Sequence, residues 1–379
     1  ERLNELADEW LTEDDFIPIS LADASVTVAD IQLGTIEQLA TLAPFGEGNP
    51  SPRFIIKGSR VRSVAAMGQG KQHVKLLLSS AGDRLSAAVE AVGFHMGALA
   101  DLIAPAAECD ILGEVSANEW NGMKKPQIVI HDIRVNRPQV FDWRRVSSIS
   151  AKLAGWAETL EQYGSQKFLL GLIINSECLL EAARLGLDSF PLWVLNSRGE
   201  TRPANPLAEG MQLEDMTDVV FFSLPPSTAS LESLLARLNS AERLFAVFQT
   251  MPLSPAEAMP SREAFKKVYV CLKEMGKLPK DGAAFQALGR KTGLTAESAR
   301  WIVEVFAELK FVLKTEDGYE VAADPERQHL QSSRMYRERL ERMNAMELFV
   351  RSSSAELAEW LLARLRPVFN HEKALEEWV

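Results

Sequence analysis

The side chains able to do chemistry in this 379-residue chain are few and dispersed. Five histidines, His73, His95, His131, His329 and His371, include no pair at i, i+3 or i, i+4, the spacings that set two imidazoles on one metal. Cys109, Cys178 and Cys271 lie far apart, with no CxxC and no zinc-like Cys/His spacing, so they read as reduced, buried thiols. No HExxH, P-loop, GxSxG or GxGxxG occurs. Glu214, Asp215 and Asp218 cluster ahead of a strand, which a solvated turn explains better than a metal site. Two-metal hydrolysis needs several carboxylates and histidines converging.

Cations are more informative. Arg60 and Arg62 alternate along one extended stretch, and period two places them on one face of a sheet. Lys71, His73 and Lys75 alternate in the same way along the next stretch. Trp120 and Asn121 sit in a turn, followed by Lys124 and Lys125. Positive side chains that track a backbone, with an aromatic on which a base can stack, are what binding of single-stranded nucleic acid requires. The wet face of a barrel, with Trp120 plugging one end, would account for the same residues.

Charge distribution sharpens this. The chain carries a net charge of −11, which argues against a generic nucleic-acid binder. Residues 1–52 hold 1 basic and 11 acidic side chains, whereas residues 53–137 hold 11 basic and 8 acidic. One locally basic segment therefore lies inside an acidic protein. With 46% hydrophobic and 25% charged residues the composition is that of a globular protein, and no apolar run approaches the ~18 residues of a membrane span.

The elements that must position these residues follow from periodicity. Residues 1–12 and 35–42 read as helices, with an extended segment between them, and the cluster LAPFGEGNP then marks a boundary. Five period-two stretches follow, with the helix-like FHMGALADLIAP between the third and fourth. That is the layout of an OB-fold barrel, although a five-stranded sandwich shares much of it. Beyond residue 138, the apolar runs FLLGLIIN, FPLWVLN, DVVFFSLPP and RLFAVFQ alternate with helices, which predicts a parallel-sheet α/β domain. Its first strand runs into Asn175 without a glycine-rich loop, so a structural role is favoured over a nucleotide site. Three helices and a hairpin then predict a winged-helix-like domain. Its third helix carries Glu297, Glu304 and Glu308 against Arg300 and Lys310, a charge suited to protein contact or a purely structural role rather than to DNA. The expected division is 1–43, 44–138 (OB), 139–255 (α/β), 256–323 (winged-helix-like) and 324–379 (helical).

In order, LAPFGEGNPSPRF, KQHVKLLL, AVGF and NEWNGMKKPQIVIHDI resemble the end of the catalytic region and the OB domain of the RecJ family. These are single-strand-specific DNA exonucleases of the DHH phosphoesterase superfamily. DVVFFSLPPS, PSREAFKKVY, VEVFAELKFV and the tail helices are similar to the extra C-terminal region of Firmicutes-type members. The resemblance implies a 5′–3′ exonuclease of DNA repair and recombination, a hydrolase of the cytoplasm, with manganese or magnesium in its catalytic core.

The DHH signature and the family's glycine-glycine-histidine motif do not occur here, so catalysis and metal binding are transferred to no residue. The implied core lies outside this chain, which is expected to be inactive alone, and residues 1–43 would be the tail of the DHH-associated domain. A start on Glu1 rather than Met fits a fragment. The carried-over role is DNA binding by Arg60, Arg62, Lys71, His73, Lys75, Trp120, Asn121, Lys124 and Lys125. In the alternative, the chain is a protein-interaction module that recruits a single-strand-binding protein or a helicase. LAPFGEGNP becomes a hinge, with Phe45 as its apolar anchor.

Overall fold

A 14-residue strand, β2 (Phe54–Met67), organises the first half of the protein. The computed structural model describes residues 20–81, 87–135, 138–162, 169–249 and 258–365, with Arg2, Trp10 and Leu11. Most of the expected helix over 1–12 falls outside the described residues. The chain divides into two units, Glu1–Val140 and Phe141–Val379.

In the first unit, β1 (Ala24–Thr27) and β2 are followed by β3 (His73–Ser80), β4 (Val89–Gly93), β5 (Glu108–Trp120) and β6 (Met123–Val135). The sheet order is β1-β2-β3-β4-β6-β5, and β5 returns to pair with β2, which closes a five-stranded barrel. β4 and β6 run parallel. This is the connectivity of an OB barrel and not of a two-sheet sandwich. Alternation drives it: Val74, Leu76 and Leu78 of β3 point into a core shared with Ile56, Ile111 and Ile128. Full burial of each such side chain contributes about 1.5–3 kcal/mol. Gly113 is required where β5 and β6 close, because a Cβ there would lie 2.5 Å from the Val129 carbonyl oxygen. The predicted insert helix shortens to one turn, Leu99–Leu102.

Two expectations need correction here. Residues 24–42 do not stand apart from the barrel. β1 pairs with β2, and Val28, Ile31 and Ile36 belong to the barrel core. Their acidic, polar sequence hid the three apolar positions that matter. Phe45 is 39% exposed rather than buried as an anchor; the loop is held by Asn49, whose side-chain amide donates to the carbonyls of Leu42 and Pro44.

The second unit is built on a sheet of order β10-β9-β8-β11-β12-β7, formed by β7 (Gln139–Asp142), β8 (Leu170–Ile174), β9 (Leu192–Leu195), β10 (Thr201–Pro203), β11 (Asp218–Ser223) and β12 (Arg243–Gln249). β9, β8, β11 and β12 are mutually parallel and buried, as their unbroken apolar runs predicted. Short β10 adds an antiparallel edge that periodicity missed. Fully buried Asp218 accepts two hydrogen bonds from Arg243, at 2.7 and 2.9 Å.

Helices Arg262–Met275, Gly282–Thr292 and Ala296–Glu308 follow, with a small sheet of order β13-β15-β14 made by β13 (Lys277–Pro279), β14 (Val312–Lys314) and β15 (Gly318–Val321). Two of the three glutamates named on the third helix, Glu304 and Glu308, are engaged within the fold. Glu304 accepts from the Tyr319 hydroxyl at 2.6 Å and pairs with Lys314 at 2.7 Å. Glu308 accepts from the Ser333 hydroxyl and from the backbone of Arg334 and Met335, which fixes the start of helix Arg334–Met346. That helix also lines a cavity beside the α/β sheet, within the unit Phe141–Val379.

Candidate nucleic-acid interface

The hairpin between β5 and β6 sets much of the candidate surface. Trp120 pairs with Met123, leaving a two-residue turn in which Asn121 and Gly122 have φ of 51° and 74°. Two positive φ values are what a type I′ turn demands, and Asn-Gly supplies them at least cost. This fixes Lys124 opposite Glu119 and Lys125 opposite Asn118, on alternate faces. The side chain of Trp120 lies outside the described set.

β3 supplies the centre. Leucines and valine fill its inner face, so His73, Lys75 and Leu77 take the other. Lys75 pairs with Glu90 of β4 at 2.8 Å. Lys75 and Lys125 meet at one cavity of about 260 Å³, with Glu90, Asn118 and Met123 around it. These predicted residues are therefore brought together across β3 and the β5–β6 hairpin.

The turn from β2 to β3 forms the other end. Lys71 adopts a left-handed φ of 57° there, beside His73. Phe94 and His95, at the exit of β4, join this cluster. The rings of His73 and Phe94 meet edge-on at 5.4 Å, and the His95 backbone N–H donates to His73 Nδ1 at 3.0 Å. Gly97 N–H donates to the Gln72 carbonyl, and a Cβ on Gly97 would fall 1.9 Å from the Lys71 oxygen. The two segments are clasped.

Arg60 and Arg62 are placed differently. Arg60 lies opposite Ser79 and Glu108, at the end of β3 far from His73. A bulge between Val61 and Ser63 interrupts the period-two row on which their shared face rested. A single bulge is invisible to a pattern that counts by twos.

Sequence reasoning also missed Phe94, which is 54% exposed, because FHMGALADLIAP was assigned whole to a helix. The salt bridge from Glu90 had no sequence signal beyond alternation in β4.

Elsewhere the chemistry is subdued. Cys109 is buried, and that burial, with Asp110 and Glu108 nearby, pushes its thiol up to about 12. Among the described residues, no three of His, Cys, Asp and Glu come together to hold a metal ion. A cavity of about 450 Å³ opens at the carboxyl ends of β8 and β11, where the strand order reverses. Glu177, Glu338 and Glu341 face it with Arg342, a lining that offers phosphate little. No described helix is long and apolar enough to cross a membrane.

Comparison with known proteins agrees with this layout. The model of the RecJ OB domain matches residues 22–132, which includes the stretch containing β1. The model of the single-strand DNA-specific exonuclease C-terminal domain matches residues 139–361. The single-stranded-DNA-specific exonuclease RecJ of Bacillus subtilis is 31% identical over 364 residues, covering 95% of this chain; the chain spans 43% of that protein's length. Among solved structures, Mg²⁺-bound RecJ of Thermus thermophilus is 19% identical over 72% of this chain and 35% of its own, with a TM-score of 0.21. A mitochondrial single-stranded DNA binding protein of S. cerevisiae, Rim1, is 12% identical, over 22% of this chain and 92% of its own, at a TM-score of 0.19. Overlaps so slight carry no functional reading. The two domain models in tandem are decisive, and this chain belongs to the RecJ family of single-strand-DNA-specific exonucleases, of which it is a C-terminal part.

Proposed function

We propose that this chain grips single-stranded DNA through its OB barrel and guides it to a 5′–3′ exonuclease core, with manganese or magnesium, that lies outside the chain. The carrying observation is the distribution of cations on the barrel. Lys71 lies in the turn after β2, and the pair Lys124–Lys125 opens β6 just past the turn after β5; these are the two loops with which OB barrels hold oligonucleotides. None of the three makes an ion pair among the described residues. Lys75 lies on the strand face between those loops. Each cation would neutralise a backbone phosphate, while Trp120 and His73 would supply rings for bases.

The test is a salt-dependent titration of the chain with a single-stranded oligonucleotide. Tight binding at low salt that falls steeply with added salt supports the reading. No binding at low salt, or binding unchanged when Lys71, Lys75, Lys124 and Lys125 are neutralised, sinks it.

A second reading rests on a different observation. Helices Arg262–Met275 and Ala296–Glu308, which we read as part of a winged helix, bound an apolar cavity of about 400 Å³. Phe265, Tyr269, Phe306 and Phe311 line it, and Arg262 and Arg327 stand at its margin. An acidic peptide with an apolar side chain fits that chemistry, as a docking segment of a single-strand-binding protein or a helicase would supply. Capture of such a partner by the wild type, lost on R262E/R327E, supports recruitment; capture unaffected by the double variant removes this cavity from it.

A further inference from the structure

We infer that Phe94 is a fixed platform on which one base of the bound strand stacks, at the end of the barrel face marked by Lys71 and His73. The inference rests on the single-stranded DNA reading and adds to it the place where a base, rather than a phosphate, is held.

Phe94 follows β4 directly and is 54% exposed. Single exposed apolar residues are ordinary on protein surfaces and need no explanation. What sets Phe94 apart is how it is held. One edge contact, to His73, leaves ring surface open to solvent. His73 is fixed in turn: its Nδ1 accepts from the His95 backbone, and its ring meets that of His95 at 5.2 Å. His95 itself takes a left-handed φ of 59°, uncommon outside glycine.

The glycines on either side complete the clamp. A Cβ on Gly93 would lie 2.9 Å from both Met96 Sδ and Val74 Cγ1. Gly97 admits the Lys71 carbonyl oxygen where any Cβ would collide. The segment 93–97 is thereby locked onto the turn that carries Lys71. An aromatic ring on a segment clasped to a turn that bears a cation is suited to a nucleotide: the lysine would take the phosphate, and the ring the base. Stacking tolerates any base, because every base has a π face. The loss of ordering entropy on binding is small for a ring already in place.

The experiment compares the full chain with F94L and F94W in titrations with an oligonucleotide and with a strand of equal length whose sites are abasic. F94L keeps apolar bulk and removes the π face; F94W keeps the π face. The expected result is a loss of affinity of about 5- to 100-fold for F94L on the normal strand and near wild-type affinity for F94W. On the abasic strand wild type and F94L should bind alike, and their salt slopes should be equal, because no phosphate contact has changed. If the wild type binds the normal strand and F94L binds it equally well, the platform is overturned while the single-strand reading stands. Equal losses for F94L on both strands also overturn it, since the effect would then not involve bases. A wild type that fails to bind either strand overturns the reading and the platform together.

Discussion

The two units of the protein differ in how some of their cations are held. In the second unit, several basic side chains are tied to the fold. Arg243 is held by buried Asp218, and Arg144 binds Asp142 while donating to the carbonyls of Phe349, Val350 and Ser352. Lys314 pairs with Glu304, Arg364 pairs with Glu232, and Arg339 lies 3.8 Å over the Trp301 ring. In the barrel, Lys71, Lys124 and Lys125 are exposed, and no such partners hold them among the described residues. Counting positive residues would therefore mislead about where an anion is welcome. A cation already satisfied inside the protein is structure, and one left to solvent is available for a ligand.

The largest effect that separates the units is expected at Asp218. D218A leaves the Arg243 guanidinium, only 18% exposed, without its carboxylate. Breaking such a buried pair costs about 3–5 kcal/mol. Chemical denaturation should show the second unit destabilised by that order, while oligonucleotide affinity of the folded protein stays unchanged. A loss of affinity at equal folding would break the contrast.

The converse change is K71A/K124A/K125A. Stability should shift by under about 0.5 kcal/mol, as for ordinary surface substitutions. The slope of log affinity against log salt should fall by roughly 2, at about 0.7 per phosphate contact on a single strand. Neutralising Arg262 and Arg327 of the second unit instead should leave that slope alone. A reduced slope in this control would show that the second unit shares the grip.

Acid should act chiefly on the second unit. Burial would raise the pKa of Asp142, but hydrogen bonds from Arg144 and Ser354 outweigh it and hold the carboxyl below its usual 3.8. Burial likewise opposes, without overcoming, the lowering of Glu304 by Lys314 and Tyr319. Glu308 is lowered first by the Ser333 hydroxyl. With folded pKa values depressed, the unfolded chain binds protons first as pH falls. The stabilisation is thus complete at neutral pH and is lost from the usual carboxylate range downward. Thermal melts from pH 7 to below 4 should show this unit falling, with a shallower fall in D142N. An equally steep fall in D142N would remove Asp142 from the effect.

The smallest effect is expected at Glu90, whose carboxylate pairs with Lys75 and, on the proposed function, would compete with DNA for it. E90Q should tighten oligonucleotide binding about two- to fivefold, the range of an exposed ion pair worth up to ~1 kcal/mol. Unchanged or weaker binding would remove Lys75 from the candidate surface.

Much of this was legible in the sequence because it is periodic. Alternation gave β2, β3, β5 and β6 nearly to the residue, and the unbroken apolar runs gave β8, β9, β11 and β12. What escaped was set by tertiary context. β1 lies within the predicted extended segment, but its place in the barrel sheet was hidden, because the residues after it carry only three core positions among polar ones. β10 and β13 are three residues long, too short for any period. Arg62 was misjudged by a bulge and Phe94 by a helix that proved to be one turn. Phe45 looked like an anchor because a large apolar residue in a turn suggests one. The acidic third helix was read through its charge, whereas Glu304 and Glu308 are engaged with Lys314, Tyr319 and the start of the following helix.

The Asn121–Gly122 turn has a consequence for anyone wishing to alter the protein. From Gly113 to Trp120, β5 and β6 stay in one unbroken register, and that register is set by a loop of two residues. Lys124 and Lys125 therefore owe their orientation to loop length as much as to their own identity. Adding one residue to the turn would invite the partner strand to slide by one, exchanging the faces on which the two lysines stand. Loop length is thus an engineering handle that could reorient the cations of the barrel without changing its net charge.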